Sequence, residues 1–394
     1  MAKFVNFSDG IIYNDELWFS NFKFNALQKL NLKNGEVSIV SFFPEFKAEE
    51  YYLHSQLIEH NKKIYFIPLN KSIINIWDLE SNNWEKSIKL PYDIELRYSK
   101  AFLKGSFIWL FPYYLKDVIL KIDLTNNEVS ELRNLTDKIK AKFSEDVYLW
   151  PSNISLHKEK FYITAFDKDI LLVVDSDSED IVAEYKLENQ TIRGIQPIED
   201  DKCVFFTDKS PELFVWDLKA DTTKSYKVDF NLKIGQVSFS DFLYEGKKII
   251  ALPKHIDEIF AMDLTKDEVI KLELPVGFQR NSPYPLFEFA KSCDNKVYLF
   301  PRGCNKLLCI NLDDLSVTEI KQHFSKEFTE YYDDIVEKTF KCRYKTGELL
   351  EADYWSETLP KFLDLVCLGE QTDLKIEESN VGLNIHKVIK KLLS

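Results

Sequence analysis

Ile73-Ile74-Asn75-Ile76-Trp77-Asp78-Leu79-Glu80-Ser81-Asn82-Asn83-Trp84-Glu85 is one copy of a phrase that occurs seven times in this 394-residue chain. A run rich in β-branched and aromatic residues closes on Asp, a polar turn follows, and a partly polar segment resumes after it. Such runs read as strands and such turns as hairpins, because Asn, Asp and Ser side chains satisfy local backbone groups and tolerate left-handed backbone. Ahead of this copy stands a shorter run, Ile64-Tyr65-Phe66-Ile67, apolar at every position. A strand apolar on both faces is buried on both faces.

Outward from this copy, the Asp or Asn that closes the longer run is Asn31, Asp78, Asp123, Asp175, Asp217, Asp263 and Asn311. The successive intervals are 47, 45, 52, 42, 46 and 48 residues, the period of β-propeller blades. The other short runs include Leu17-Trp18-Phe19, Phe107-Ile108-Trp109-Leu110 and Val297-Tyr298-Leu299-Phe300. Each copy therefore reads as four antiparallel strands, A to D, with the short run as B and the longer run as C. The expected fold is all-β, a seven-bladed propeller with blades near 7–47, 48–94, 95–145, 146–188, 189–233, 234–279 and 280–320. Each blade is made from contiguous chain, and residues 2–6 are free to add to the last blade. The Asp or Asn side chains are expected to bond into their own turns.

The Asp-Leu-turn-Trp phrase of residues 78–84 resembles the kelch repeat, although the double glycine of that family is absent and most copies lack the Trp. The resemblance covers roughly residues 1–320 and implies the propeller fold. It also implies that either binding proteins or enzymes are possible, since sialic acid mutarotases and galactose oxidases are kelch-like. The Tyr/His/Cys copper set of the oxidases cannot be assembled from this sequence.

Beyond residue 320 the pattern changes to a helical C-terminal extension, 321–394. Phe324, Phe328, Tyr331, Tyr332 and Ile335 recur at helical spacing, Glu348 to Leu368 reads as a second helical stretch interrupted at Pro360, and Ile385, Val388, Ile389, Leu392 and Leu393 form the apolar face of a third. These helices either cap the ring or dock a partner.

The formal net charge of −13 argues against nucleic acid as the main partner. The six cysteines form no CxxC pair, no leader is evident and no apolar run is long enough to span a membrane, so a cytoplasmic chain with free thiols is expected. The six histidines match no zinc spacing, and no nucleotide-binding or nucleophile motif occurs. No metal or cofactor is expected.

In a propeller the B–C loops and D–A connections open on one end, around the channel mouth. There the sequence places Tyr52, His54, Arg97, Lys100, Trp150, Arg193, Arg280 and Tyr284, and a cation in every B–C loop from the second copy onward: Lys71, Lys116, Lys168, Lys209, Lys254 and Arg302. Such a mouth suits a protein, peptide or anionic glycan-like ligand, held by charge-assisted hydrogen bonds and stacking. A binding or scaffold role is the primary expectation. The alternative is an enzyme, mutarotase- or lyase-like, whose acid/base and cation would be drawn from His54, Glu288 and Arg193.

Overall fold

The computed structural model describes residues 5–335, apart from 6, 23, 48–49, 51, 70, 93–97, 167, 188–189, 208–209, 211, 229–238, 255–257, 276–285, 302–303, 327 and 333. The chain divides into two units, 1–339 and 340–394, and all the described residues belong to the first.

The first unit is a seven-bladed propeller of antiparallel four-stranded blades. The seven A strands are Phe7–Tyr13, His54–His60, Tyr98–Lys104, Ile154–His157, Gly194–Glu199, Phe239–Glu245 and Phe287–Cys293. In blade 2 the outer strand is split into Asn83–Trp84 and Ile88–Lys89.

The short apolar runs are the B strands, and the reason for their double-sided apolarity is visible. The core is seven separate clusters, one per interface between neighbouring blades. Alternate residues of one B strand enter alternate clusters, as the period of two requires. Ile64 and Phe66 face blade 1, whereas Tyr65 and Ile67 face blade 3. Ile108 and Leu110 face blade 2, whereas Trp109 and Phe111 face blade 4.

The Asp or Asn closing strand C accepts backbone N–H groups of its own turn in all seven blades. Asn31 Oδ1 takes Lys33 and Asn34, and Asp78 Oδ1 takes Glu80 and Ser81 at 2.9 and 2.7 Å. Asp123, Asp175, Asp217, Asp263 and Asn311 repeat the pattern. The next residue, Leu in six blades and Ser176 in the fourth, donates its N–H to a carbonyl of the A–B turn beside it. The Asp-Leu phrase is thus a clasp holding two turns together. Most of those A–B turns carry left-handed residues, for example Asn14 with Asp15 and Asn61 with Lys62, which matches the twist of a tight hairpin.

Of residues 2–6, expected to be free to add to the last blade, only Val5 is among the described residues. The four strands of each blade are contiguous, but the seam is closed from the other end of the propeller. His323–Phe324 adds to the outer edge of blade 1, parallel to Glu36–Ser41. Gln322 fastens the seam: its side chain accepts the Val5 N–H at 3.1 Å and its own N–H donates to Asn305. Gly35 sits at φ +76°, where a Cβ would lie 1.9 Å from the Lys321 carbonyl oxygen, so only glycine permits the approach. Helical residues follow between 326 and 335, and Phe328, Tyr332 and Ile335 enter the cluster between blades 7 and 1.

A second element absent from the sequence reading is α1, Arg133–Phe143, between blades 3 and 4. It buries Leu135, Thr136, Ile139 and Phe143 in the interface of those blades. No helix among the described residues is long and apolar enough to cross a membrane.

Candidate functional site at the channel mouth

Five A strands carry a register shift near their first residue, at Phe7/Gly10, His54/Gln56, Tyr98/Lys100, Phe239/Asp241 and Phe287/Phe289. A bulge re-aims the side chains beside it. Here it separates residues that face the core from residues that face the channel. Lys100 of blade 3 reaches Asp241 of blade 6 at 3.4 Å, across the ring. Lys291 of blade 7 reaches Asp9 of blade 1 at 2.9 Å, and Asp9 also accepts the Leu57 N–H of blade 2. The Gln56 amide both donates to and accepts from the backbone of Ala101. The channel wall is thereby cross-linked below the mouth.

The mouth over blades 3 to 6 holds an aromatic platform. Tyr113 and Tyr114 follow strand B of blade 3 (Phe107–Pro112), Tyr148 and Trp150 approach blade 4, and Phe166 follows strand B of blade 4 (Lys160–Ile163). The backbone fixes them: Leu149 N–H donates to Tyr113 O, and Phe166 N–H donates to Tyr148 O. Tyr114 and Tyr148 pair by a β-bridge and a 3.2 Å hydroxyl contact, which raises the Tyr148 pKa above its ordinary value. Trp150 and Phe166 stack with ring centres 6.0 Å apart and planes 27° apart.

Two cations lie against this platform. The Arg193 guanidinium, on the approach to blade 5, is centred 3.6 Å from the Phe166 ring centre. The Lys254 ammonium, following strand B of blade 6 (Lys248–Pro253), is 4.7 Å from the centre of Trp150. Burial first, and then the Arg193 charge, pull the Lys254 pKa below its ordinary value. The Arg193 carbonyl accepts Ser152 Oγ and Asn153 Nδ2, so the short turn Pro151–Asn153 anchors both the arginine and Trp150.

The remaining sequence candidates are distributed differently. His54 is wholly buried between blades 1 and 2. Its Nδ1 lies 2.8 Å from Ser20 Oγ and its Nε2 3.2 Å from Asn75 Oδ1, and burial depresses its pKa to about 3. It faces core aromatics, Phe43 and Phe66, not the mouth. Tyr52 sits at φ +54° with its ring against Phe22. Glu288 lies at the bulge on blade 7, and Lys100 is committed to the channel pair. Arg97, Arg280 and Tyr284 lie outside the described residues, as do the two later helical segments of the extension. Among the described residues no cluster of three or more His, Cys, Asp or Glu is placed to hold a metal.

Trp150, Arg193 and Lys254 thus converge, as separate sequence signals did not show. Tyr113, Tyr114 and Phe166 were missed. Their signal is positional: each stands within four residues after an apolar B run.

No protein-family model matches the chain, and no curated protein matches it in sequence. Solved structures do share its fold. The computationally designed Ika8 protein aligns with a TM-score of 0.54 at 8% identity, covering 82% of this chain and 88% of that one. A catalytically inactive virginiamycin B lyase from Staphylococcus aureus with quinupristin aligns at 0.54 and 12% identity, covering 75% and 92%. The dihydro-heme d1 dehydrogenase NirN, in complex with DHE, aligns at 0.51 and 10%, covering 78% and 64%. At such identities the likeness is one of fold, and fold does not dictate function.

Proposed function

We propose that this propeller is a binding protein whose channel mouth, over blades 3 to 6, takes an anionic ligand with a flat or ring-shaped face, such as an acidic sugar or a peptide carboxylate beside a ring. The observation that carries this reading is the convergence of Arg193 and Lys254 on the stacked pair Trp150 and Phe166. Two cations beside a stacked aromatic pair offer an anion charge-assisted contacts, while the rings offer a stacking surface. The acidic character of the whole chain makes a cationic mouth more selective, since the surrounding surface repels anions that do not fit it.

The same reading treats the repeat as kelch-like. Support comes from blade 2, where the Asp78 turn leads to Trp84, whose ring meets Trp77 at 4.8 Å. A cytoplasmic setting belongs to it too, with Cys203, Cys293, Cys304 and Cys309 as free thiols.

The test is calorimetric titration with glucuronate, sialate and their neutral parent sugars. The acidic sugars should bind and the neutral ones should not, and Arg193→Gln should weaken binding at least about tenfold, the loss of one charge-assisted contact. Equal binding of neutral and acidic sugars would overturn the reading.

A further inference from the structure

The outer strand of blade 4, Asp180–Lys186, is the longest outer strand of the described ring at 7 residues. Its inner side pairs with strand C of the blade, Ile170–Asp175, and among the described residues no strand pairs its outer side. A bulge interrupts the ladder: Ala183 faces Val173 and Ile181 faces Val174, so Val182 has no residue opposite it. The bulge leaves Val182 outward, and at 51% it is the most exposed large hydrophobic side chain among the described residues. Ile181, Val182, Ala183 and Glu184 form one wall of a cleft of about 450 Å³, and Lys138, Ala141 and Lys142 of α1 form the other. Lys138–Asp180 at 2.8 Å and Lys142–Glu184 at 2.6 Å tie the two walls together.

A long open edge with an apolar residue beside it is a template for another strand. The ring already uses one outer edge in this way, since His323–Phe324 adds to blade 1. The charge pattern selects the occupant at blade 4. Glu179 and Asp180 stand at the N-terminal end of the edge and Lys186 at the C-terminal end. The Lys186 side chain is 67% exposed, and its partner within the chain, Asp169, lies 3.7 Å away. Two such edges laid antiparallel about Ala183 bring the acidic end of each to the lysine of the other. Val182 then lies opposite Glu184 of the other copy and diagonal to its Val182, so the two exposed valines shield each other. The outer strands of blades 3 and 5 lack this self-complementarity. Glu128 with Glu131, and Lys224 with Lys227, would bring only like charges together.

We propose that the outer edge of blade 4 is a self-association surface, pairing antiparallel with the same edge of a second copy of this chain. The contact is isologous: what Asp180 of one copy meets, Asp180 of the other meets as well. It uses the rim and leaves the channel mouth open. One strand and its cleft bury less than a permanent dimer needs, so association is expected to be no tighter than roughly micromolar.

Sedimentation velocity of the full chain up to about 500 µM covers that range. Salt of about 0.15 M screens the −13 net charge beyond about 8 Å while leaving contacts at the strand ends. A dimer should appear as concentration rises. Lys186→Glu and Asp180→Lys, each shown to be folded by near-ultraviolet dichroism, should weaken it about tenfold, because the two-fold axis counts each like-charge contact twice. An equimolar mixture of the two variants should restore the dimer, since acid then meets lysine at both ends of the mixed pair. A chain that stays monomeric throughout would overturn the proposal. So would a dimer indifferent to both substitutions, or a mixture no tighter than its components.

Discussion

Acid should unfold this propeller through one histidine. His54 is 0% exposed, and its ring is satisfied as the neutral form. Asn75 Nδ2 donates to Glu45, which turns the Asn75 oxygen toward His54 Nε2 and makes that nitrogen the protonated one. Nδ1 is then the acceptor for the Ser20 hydroxyl. A second proton, on Nδ1, would turn the Ser20 hydroxyl from donor to acceptor and place a charge among Phe43, Phe46 and Phe66.

The folded pKa of about 3 stands against the ordinary value of 6.5 in the unfolded chain. Because the unfolded chain binds the proton more readily, the contribution is fully present above pH 6.5 and is lost as pH falls from 6.5 toward 3. Each unit in that window removes about 1.4 kcal/mol, so the drop from pH 7.5 to 4.5 is roughly 2–3 kcal/mol. The turn carboxylates Asp78 and Asp175 are lowered first by the N–H groups of Ser81 and Ser178, and Asp123 and Asp263 by the hydroxyls of Thr125 and Thr265. Their stabilising effect is lost as pH falls below their ordinary value of 3.8, beneath the pH 7.5–4.5 range of the measurement. Urea melts followed by tryptophan fluorescence at half-unit steps should show the slope in the wild type and a nearly flat line in His54→Gln over pH 7.5–4.5. Parallel slopes in the two proteins would refute the reasoning.

Gly35→Ala should open the seam between blades 7 and 1, because the added methyl meets the Lys321 carbonyl; a loss of at least about 1 kcal/mol and early proteolysis near residue 321 are expected, read by melting and timed trypsin digestion. Asp78→Ala should destabilise by about 1 kcal/mol through loss of the turn acceptor, while Asp78→Asn, like the natural Asn31 and Asn311, should stay close to wild type in the same melts.

The ring was legible because its chemistry repeats. A B strand between two blades must be apolar on both faces, and a turn clasp must carry Asp or Asn, so both features recur at every blade. The seam carries no such repetition. His323–Phe324 is too short to leave a strand pattern, and what specifies it is one glycine and one glutamine, Gly35 and Gln322. The helix α1 did leave a trace, with Leu132, Leu135, Ile139 and Phe143 at helical spacing, but it fell inside a blade whose length already looked complete. At the mouth, Trp150, Arg193 and Lys254 were each readable as top-face residues. Their aromatic partners were not, since a Tyr or Phe just past an apolar run looks like more strand. His54 shows the limit at strand A. A one-residue bulge inverts the alternation of faces, so counting along the strand cannot tell a channel-facing residue from a core one.

The account turns on the Trp150 platform, and 5-fluorotryptophan labelling reads it directly. With the seven tryptophans fluorinated and the Trp150 resonance assigned from Trp150→Phe, glucuronate is titrated while the fluorine spectrum is followed. The account predicts a saturable shift at Trp150, little change at the buried Trp109 and Trp216, and no shift in Arg193→Gln. A spectrum in which Trp150 does not move, or moves equally with the neutral parent sugar, would contradict it.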